Sequence, residues 1–130
     1  MLIPTVQPMI NLNVGAGGYV LKDFISLDIY SSHYYKSKEE FLRERTEYDM
    51  SEDKPLPFKS DSVDNIYVSH VIEHCDDLMV FRFLQESLRV LKPKGVLRTA
   101  CPDFKFLYDV MQAPSDFYRF YIKLKFRCTK

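Results

Sequence analysis

The sequence predicts one domain, residues 1–130, built on a mainly parallel α/β sheet, and three observations predict it. Short apolar runs rich in β-branched residues alternate with helical patterns along the chain. The first run leads straight into glycines, at Val14-Gly15-Ala16-Gly17-Gly18. The composition, 46% hydrophobic and 28% charged over 130 residues, excludes disorder, collagen and coiled coil. At this size about two-thirds of the unfolded chain's surface can be buried, so a core forms without metal or disulfides.

Taken in order, strands are expected at residues 9–14, 24–27, 63–68 and 96–100, with a short one at Thr46-Glu47-Tyr48. Between the last two long strands, Phe81, Leu84, Leu88 and Leu91 recur at helical spacing. An acidic start at Asp76-Asp77 and an end at Arg89, Lys92 and Pro93 punctuate that amphipathic helix. Helical spacing returns at Phe104, Leu107, Tyr108 and Met111 after Pro102-Asp103, and at Phe117, Phe120, Tyr121 and Leu124 after Pro114-Ser115.

Charge and cysteine usage narrow the partners. Eighteen Lys and Arg balance eighteen Asp and Glu, so no overall field recruits nucleic acid or an anionic membrane. Residues 39–64 are nevertheless acidic and 115–130 basic, which reads as two solvated faces, as one docking on the other, or as a basic membrane-surface helix. No apolar run approaches the roughly 20 residues of a membrane span. Cys75, Cys101 and Cys128 are odd in number and form no C-x-x-C pair, as expected of reduced thiols in a cytoplasmic protein.

The chemistry begins at the glycines, where a bare backbone turns sharply and approaches a ligand closely. The full dinucleotide fingerprint is absent, because its third glycine falls on Val20. A carboxylate, Asp28, ends the next strand, where an acid can accept both hydroxyls of a ribose. Further on come Tyr48-Asp49-Met50, then Leu56-Pro57-Phe58 with Asp61 and Asp64, then Ser69-His70-Val71-Ile72-Glu73-His74 and finally Arg89-Val90-Leu91-Lys92-Pro93-Lys94-Gly95.

Four ordered motifs, Leu12-Asn13-Val14-Gly15-Ala16-Gly17, Leu56 to Asp64, Val71-Ile72-Glu73-His74 and Arg89 to Leu97, resemble the class I S-adenosylmethionine-dependent methyltransferases over about residues 10–103, and most of all a small subgroup with a short first crossover, often associated with sugar or polysaccharide modification. The resemblance implies a doubly wound sheet of order 3-2-1-4-5, with S-adenosylmethionine in the crevice where strands one and four diverge. It implies that Asn13, Gly15, Ala16 and Gly17 line the methionine and ribose part of the cofactor. Asp28, with Ile29 beside it, would bind the ribose hydroxyls, Asp49 the adenine amino group, and Met50 would stack on the ring. Ser69 and His70 would face the sulfonium end and a small-molecule or sugar acceptor. For an oxygen acceptor His70 is the candidate general base, with His74 or Asp103 behind it; Asp103 reads equally well as a helix cap.

Three departures from the family pattern carry expectations. Only residues 15–24 separate the first two strands, too few for the usual crossover helix. Asn13 replaces the first motif's acid, and Lys94 replaces the first of two glycines before strand five. The chain stops after the helix that follows strand five, so the family's last two strands are expected to be lacking. That leaves strand five as an apolar edge, for which a homodimer through residues 96–126 is the expected cover. It also leaves open a cofactor-binding or pairing module without catalysis.

A competing pattern overlaps the fourth strand's end. His70-Val71-Ile72-Glu73-His74 matches H-x-x-E-H, in which two histidines on one helical turn bind zinc and the glutamate is the base of a hydrolase. Here His70 immediately follows a strand and no obvious third ligand follows, so no metal is expected.

Overall fold

The computed structural model describes residues 8–112. Its elements are β1 (Asn11–Val14), β2 (Ile25–Asp28), α1 (Lys38–Glu44), β3 (Thr46–Glu47), β4 (Val63–Ser69), a 3₁₀ turn (Ile72–His74), α2 (Asp77–Val90), β5 (Leu91–Ala100) and α3 (Phe104–Gln112). The strands form one sheet in the order β3-β2-β1-β4-β5, and every neighbouring pair is parallel. The chain starts in the middle of the sheet, winds outward through β2 and β3, then returns to the other side of β1. The doubly wound order expected from the sequence is therefore the one observed, and the winding reverses between β1 and β4.

Local chemistry explains the helices. The Asp76 carboxylate accepts from the Met79 backbone N–H at 2.8 Å and starts α2. Asp103 does the same for α3, accepting from Phe106 at 3.0 Å. Helix α1 lies outside the elements expected from the sequence, although Ser37 and Glu40 carry the capping pattern: Ser37 Oγ accepts from the Glu40 N–H at 3.2 Å, and Glu40 accepts from the Lys36 N–H at 2.8 Å. Its single buried residue, Phe41, meets the rings of Tyr30 and Tyr35 edge-on.

One expectation fails on α2. The spacing of Phe81, Leu84 and Leu88 predicts the helix's apolar face there, yet these residues are 57%, 43% and 79% exposed, and Phe83, Ser87 and Val90 are buried instead. The helix runs into β5 with no intervening loop, so Val90 and Leu91 must enter the core together. Residues three and seven positions before Val90 then share its side.

The core lies on one face of the sheet, where Leu12, Val14, Leu27, Ile66 and Val68 pack with Leu56, Phe83 and Val90. The segments Leu56-Pro57-Phe58 and Arg89 to Gly95 meet here. Arg89 donates to the carbonyls of Leu56 and Phe58 at 3.0 Å each, and Glu86 accepts from the Leu56 N–H at 2.8 Å while pairing with Arg89 at 2.6 Å. The segment that follows β3 is thus clasped to α2.

The β1–β2 crossover contains turns and no helix, as its length requires. Among the described residues the sheet has five strands, with β5 at its edge, and no helix is long and apolar enough to cross a membrane. The aromatic stripe of residues 117–124, Cys128, and the part of the expected dimer face beyond residue 112 lie outside the described residues.

Candidate functional site

The ligand-facing end of the sheet is assembled from three loops. In the first, Gly15 and Gly17 sit at φ +68° and +55°, backbone that L side chains rarely adopt. A Cβ on Gly15 would also collide with the Val71 side chain. The Gly15 N–H donates to Leu27 O at 2.9 Å, and the Gly17 N–H donates to Asp28 Oδ2 at 2.5 Å. Tyr35 Oη donates to Gly17 O at 3.1 Å, and Arg45 Nη2 donates to Tyr19 O at 3.2 Å from a side chain only 1% exposed. Burial raises the Tyr35 hydroxyl above the ordinary tyrosine pKa, which keeps it a donor to the loop.

The second loop follows β3. Tyr48 donates its N–H to Asp28 O at 2.8 Å, extending the strand pairing towards Asp49 and Met50. Asp49 Oδ1 accepts from Ser51 N–H at 2.8 Å and from Ser51 Oγ at 2.7 Å. The Ser51 bonds hold the Asp49 carboxyl below the usual carboxylate range. Met50 rests partly buried against the core.

The third loop leaves β4. His70 donates its backbone N–H to Ala100 O at 2.9 Å and adopts φ +56°, an uncommon conformation for a residue with a side chain. Its imidazole is 64% exposed, and Nδ1 stands 3.3 Å from Oε1 of Glu73, which is 9% exposed.

These loops frame two grooves. The first, of about 400 Å³, is lined by Gly15, Gly17, Asp28, Ile29, Asp49, Met50, His70 and His74, with Tyr34, Tyr48 and Met79. The second, of about 380 Å³, is lined by Asn13, Ala16, Tyr19, Tyr34, Tyr67, Ser69 and His70. Gly15, Gly17, Tyr34 and His70 line both. Thus Asn13, Ala16 and Ser69 line the second groove, and the other residues expected around the cofactor line the first.

Asp103 lines neither groove; its carboxylate caps α3. Burial, with the charges of Asp76 and Glu73, pushes the Cys75 thiol up, which suits a filler of the groove wall and not a nucleophile. No group of three or more His, Cys, Asp or Glu side chains that could hold a metal ion forms among the described residues. Sequence reasoning missed Tyr34, Tyr48 and Met79. For Tyr34 no sequence signal exists, because its place depends on a turn folding back over the glycine loop. Met79 was findable from the Asp76 cap, which puts the first turn of α2 beside the end of β4.

A family described as "Methyltransferase domain" matches residues 12–99. The chain belongs to this family. The fold of the methyltransferase domain is shared with a candidate S-adenosyl-L-methionine-dependent methyltransferase from Methanococcus maripaludis, at 15% identity and a TM-score of 0.50, over 91% of this chain and 62% of that one. A similarity to a SAM-dependent methyltransferase from Aquifex aeolicus has 22% identity and a TM-score of 0.46, over 72% of this chain and 56% of the other. The chain therefore spans about three-fifths of the length of these solved structures. No curated protein matches it significantly.

The family implies S-adenosylmethionine as the cofactor, and the first groove fits it. Each Asp28 oxygen accepts one backbone N–H, and each carboxylate oxygen offers about two lone-pair sites, so acceptor capacity remains for a ribose. The glycine loop presents bare backbone, and Asp49 keeps an ionised carboxylate beside the apolar side chain of Met50.

Proposed function

We propose that this domain transfers a methyl group from S-adenosylmethionine to a hydroxyl of a small-molecule or saccharide acceptor. One observation carries the reading: Gly15, Gly17, Asp28, Asp49, Met50 and His70 converge on a single groove, at the point where the strand order reverses, which is where open α/β sheets bind ligands. When bound, the cofactor supplies an electrophilic methyl on a sulfonium that leaves as a neutral thioether. The chain's own work is then to align the partners and exclude water. Asp28 holds the ribose, Asp49 the adenine amino group and Met50 the ring face, while His70 takes the acceptor's proton. His74 lines the same groove; Asp103 is occupied as a cap.

The second groove supports the acceptor class. Asn13, Ser69 and the tyrosines at 19, 34 and 67 line it, and no Lys, Arg, Asp or Glu does. Amides, hydroxyls and aromatic faces suit a neutral, hydroxylated molecule and not a polyanion such as nucleic acid. The free thiols of Cys75 and Cys101 support a cytoplasmic setting. Among the described residues β5 stands at the sheet edge, which supports pairing of two chains through residues 96–126; a light-scattering mass of one chain at micromolar concentration would overturn that pairing.

The test is titration calorimetry with S-adenosylhomocysteine. Each charge-assisted hydrogen bond contributes about 1.5–3 kcal/mol, so Asp28→Ala should weaken binding at least ~10-fold. Unchanged affinity would overturn the assignment of Asp28. Tight binding with no turnover on any hydroxylated acceptor would establish a binding module in place of an enzyme.

A further inference from the structure

We propose that Glu73 is a positioning residue that presents His70 to the acceptor as a neutral base with its proton on Nδ1. The inference rests on the reading of His70 as the base, and it assigns a role to a carboxylate outside both groove linings. Three observations carry it. Glu73 is 9% exposed and its Oε2 is buried with no hydrogen-bond partner, a costly placement for a carboxylate unless a partner compensates it. Among the described residues its one partner within ion-pair distance is His70 Nδ1, at 3.3 Å. And His70 is held in left-handed backbone, pinned by its N–H to Ala100 O, so a side chain on strained backbone is among the few that line both grooves.

The chemistry follows from the two ring nitrogens. A carboxylate beside Nδ1 selects the tautomer with the proton there, and this leaves Nε2 as the nitrogen with a free lone pair. During transfer the acceptor hydroxyl gives its proton to Nε2 while its oxygen forms the new carbon–oxygen bond. The carbon–sulfur bond breaks with its electron pair left on sulfur. The positive charge lost at the sulfonium reappears on the imidazolium, where Glu73 meets it. Asp28, Asp49, Tyr34, Tyr48, His74 and Cys75 in the first groove and Tyr19 and Tyr67 in the second are the other titratable groups on the walls around His70, and among the described residues no carboxylate but Glu73 stands within ion-pair distance of it.

The experiment is long-range 1H–15N correlation of the imidazole nitrogens in the full chain, with and without S-adenosylhomocysteine. Neutral His70 should show at least ~10-fold more Nδ1–H than Nε2–H tautomer. Glu73→Leu should abolish that preference and lower kcat at least ~10-fold, with calorimetric affinity for S-adenosylhomocysteine within about twofold of wild type. Glu73→Gln, which keeps an acceptor oxygen, should restore the tautomer. A predominantly Nε2–H His70 in the unaltered chain overturns the proposal and needs no variant. So does an unchanged tautomer and kcat in Glu73→Leu. If the unaltered chain binds no S-adenosylhomocysteine, the cofactor reading itself fails, whatever the tautomer.

Discussion

The two faces of this one sheet do different work. On one face Leu12, Ile66 and Leu97 stand in register, as do Leu27, Val14 and Val68, and α2 covers them with Phe83 and Val90. On the other, Ser26, Asn13, Tyr67 and Arg98 stand in register. There Asn65 donates to Asn11 Oδ1 at 2.8 Å, the Arg98 guanidinium lies 5.9 Å from the Tyr67 ring centre, and Ser26 Oγ has no partner. Parallel sheets in α/β proteins are usually apolar on both faces because helices cover both. Here the β4–β5 crossover carries a 14-residue helix, whereas the β1–β2 crossover is too short for one. The covered face became the core, and the polar face was left to line the second groove. Core packing and the lining of the second groove are thereby separated by the thickness of a strand.

Adjacent residues of β4 offer the sharpest way to break this contrast. Ile66→Ala, on the covered face, should cost about 2–5 kcal/mol, because a cavity opens in packed core. Tyr67→Ala, on the polar face, should cost about 1 kcal/mol or less. Chemical denaturation of both variants measures the difference, and equal losses would mean that the polar face is also core.

The clasp between α2 and residues 56–58 should come next in size. Arg89→Met leaves the Leu56 and Phe58 carbonyls and the Glu86 carboxylate without their donor, for an expected loss of about 2–3 kcal/mol, readable from the same denaturation curves.

The clasp also has a pH signature. Arg89 holds the Glu86 carboxyl below its ordinary value, and Lys92 and the Ile10 N–H do the same for Asp64. A lowered folded-state value means that the stabilisation is present above the ordinary carboxylate pKa of about 4 and is lost as pH falls through the lowered one. Thermal melts should therefore decline on acidification below about pH 4, and less steeply in Arg89→Met, where the Glu86 part is gone. An identical acid slope in both proteins would refute the role of that pair.

The smallest expected effect is a gain. Lys94 stands at φ +72°, in the backbone region that costs a side chain about 1–2 kcal/mol. Lys94→Gly removes that strain at some cost in unfolded-chain entropy, so a net stabilisation of about 0.5–1 kcal/mol is expected from equilibrium denaturation.

Sequence periodicity and short-range chemistry determined the strands, the reversal of winding implied by the family resemblance, the caps at Asp76 and Asp103, and the glycine loop with Asp28 after the next strand. Each of these depends on residues a few positions apart or on an alternation along one strand, and such information is written locally. The tertiary structure decided which side of α2 is buried, because the direct joint at Val90 and Leu91 overrides the more apolar stripe of Phe81, Leu84 and Leu88. It alone brought Tyr34 over the glycine loop, Arg45 beneath Tyr19, and Arg89 onto Leu56 and Phe58. These partners are 26 residues apart for Arg45 and Tyr19 and 33 for Arg89 and Leu56, and no periodicity reaches that far. The pairing of His70 with Glu73 belongs to the same class despite its short spacing. A helix would bring the two together by its own geometry, but here a strand end, a left-handed residue and a 3₁₀ turn do so, and that path exists only once β4 is seated beside β5.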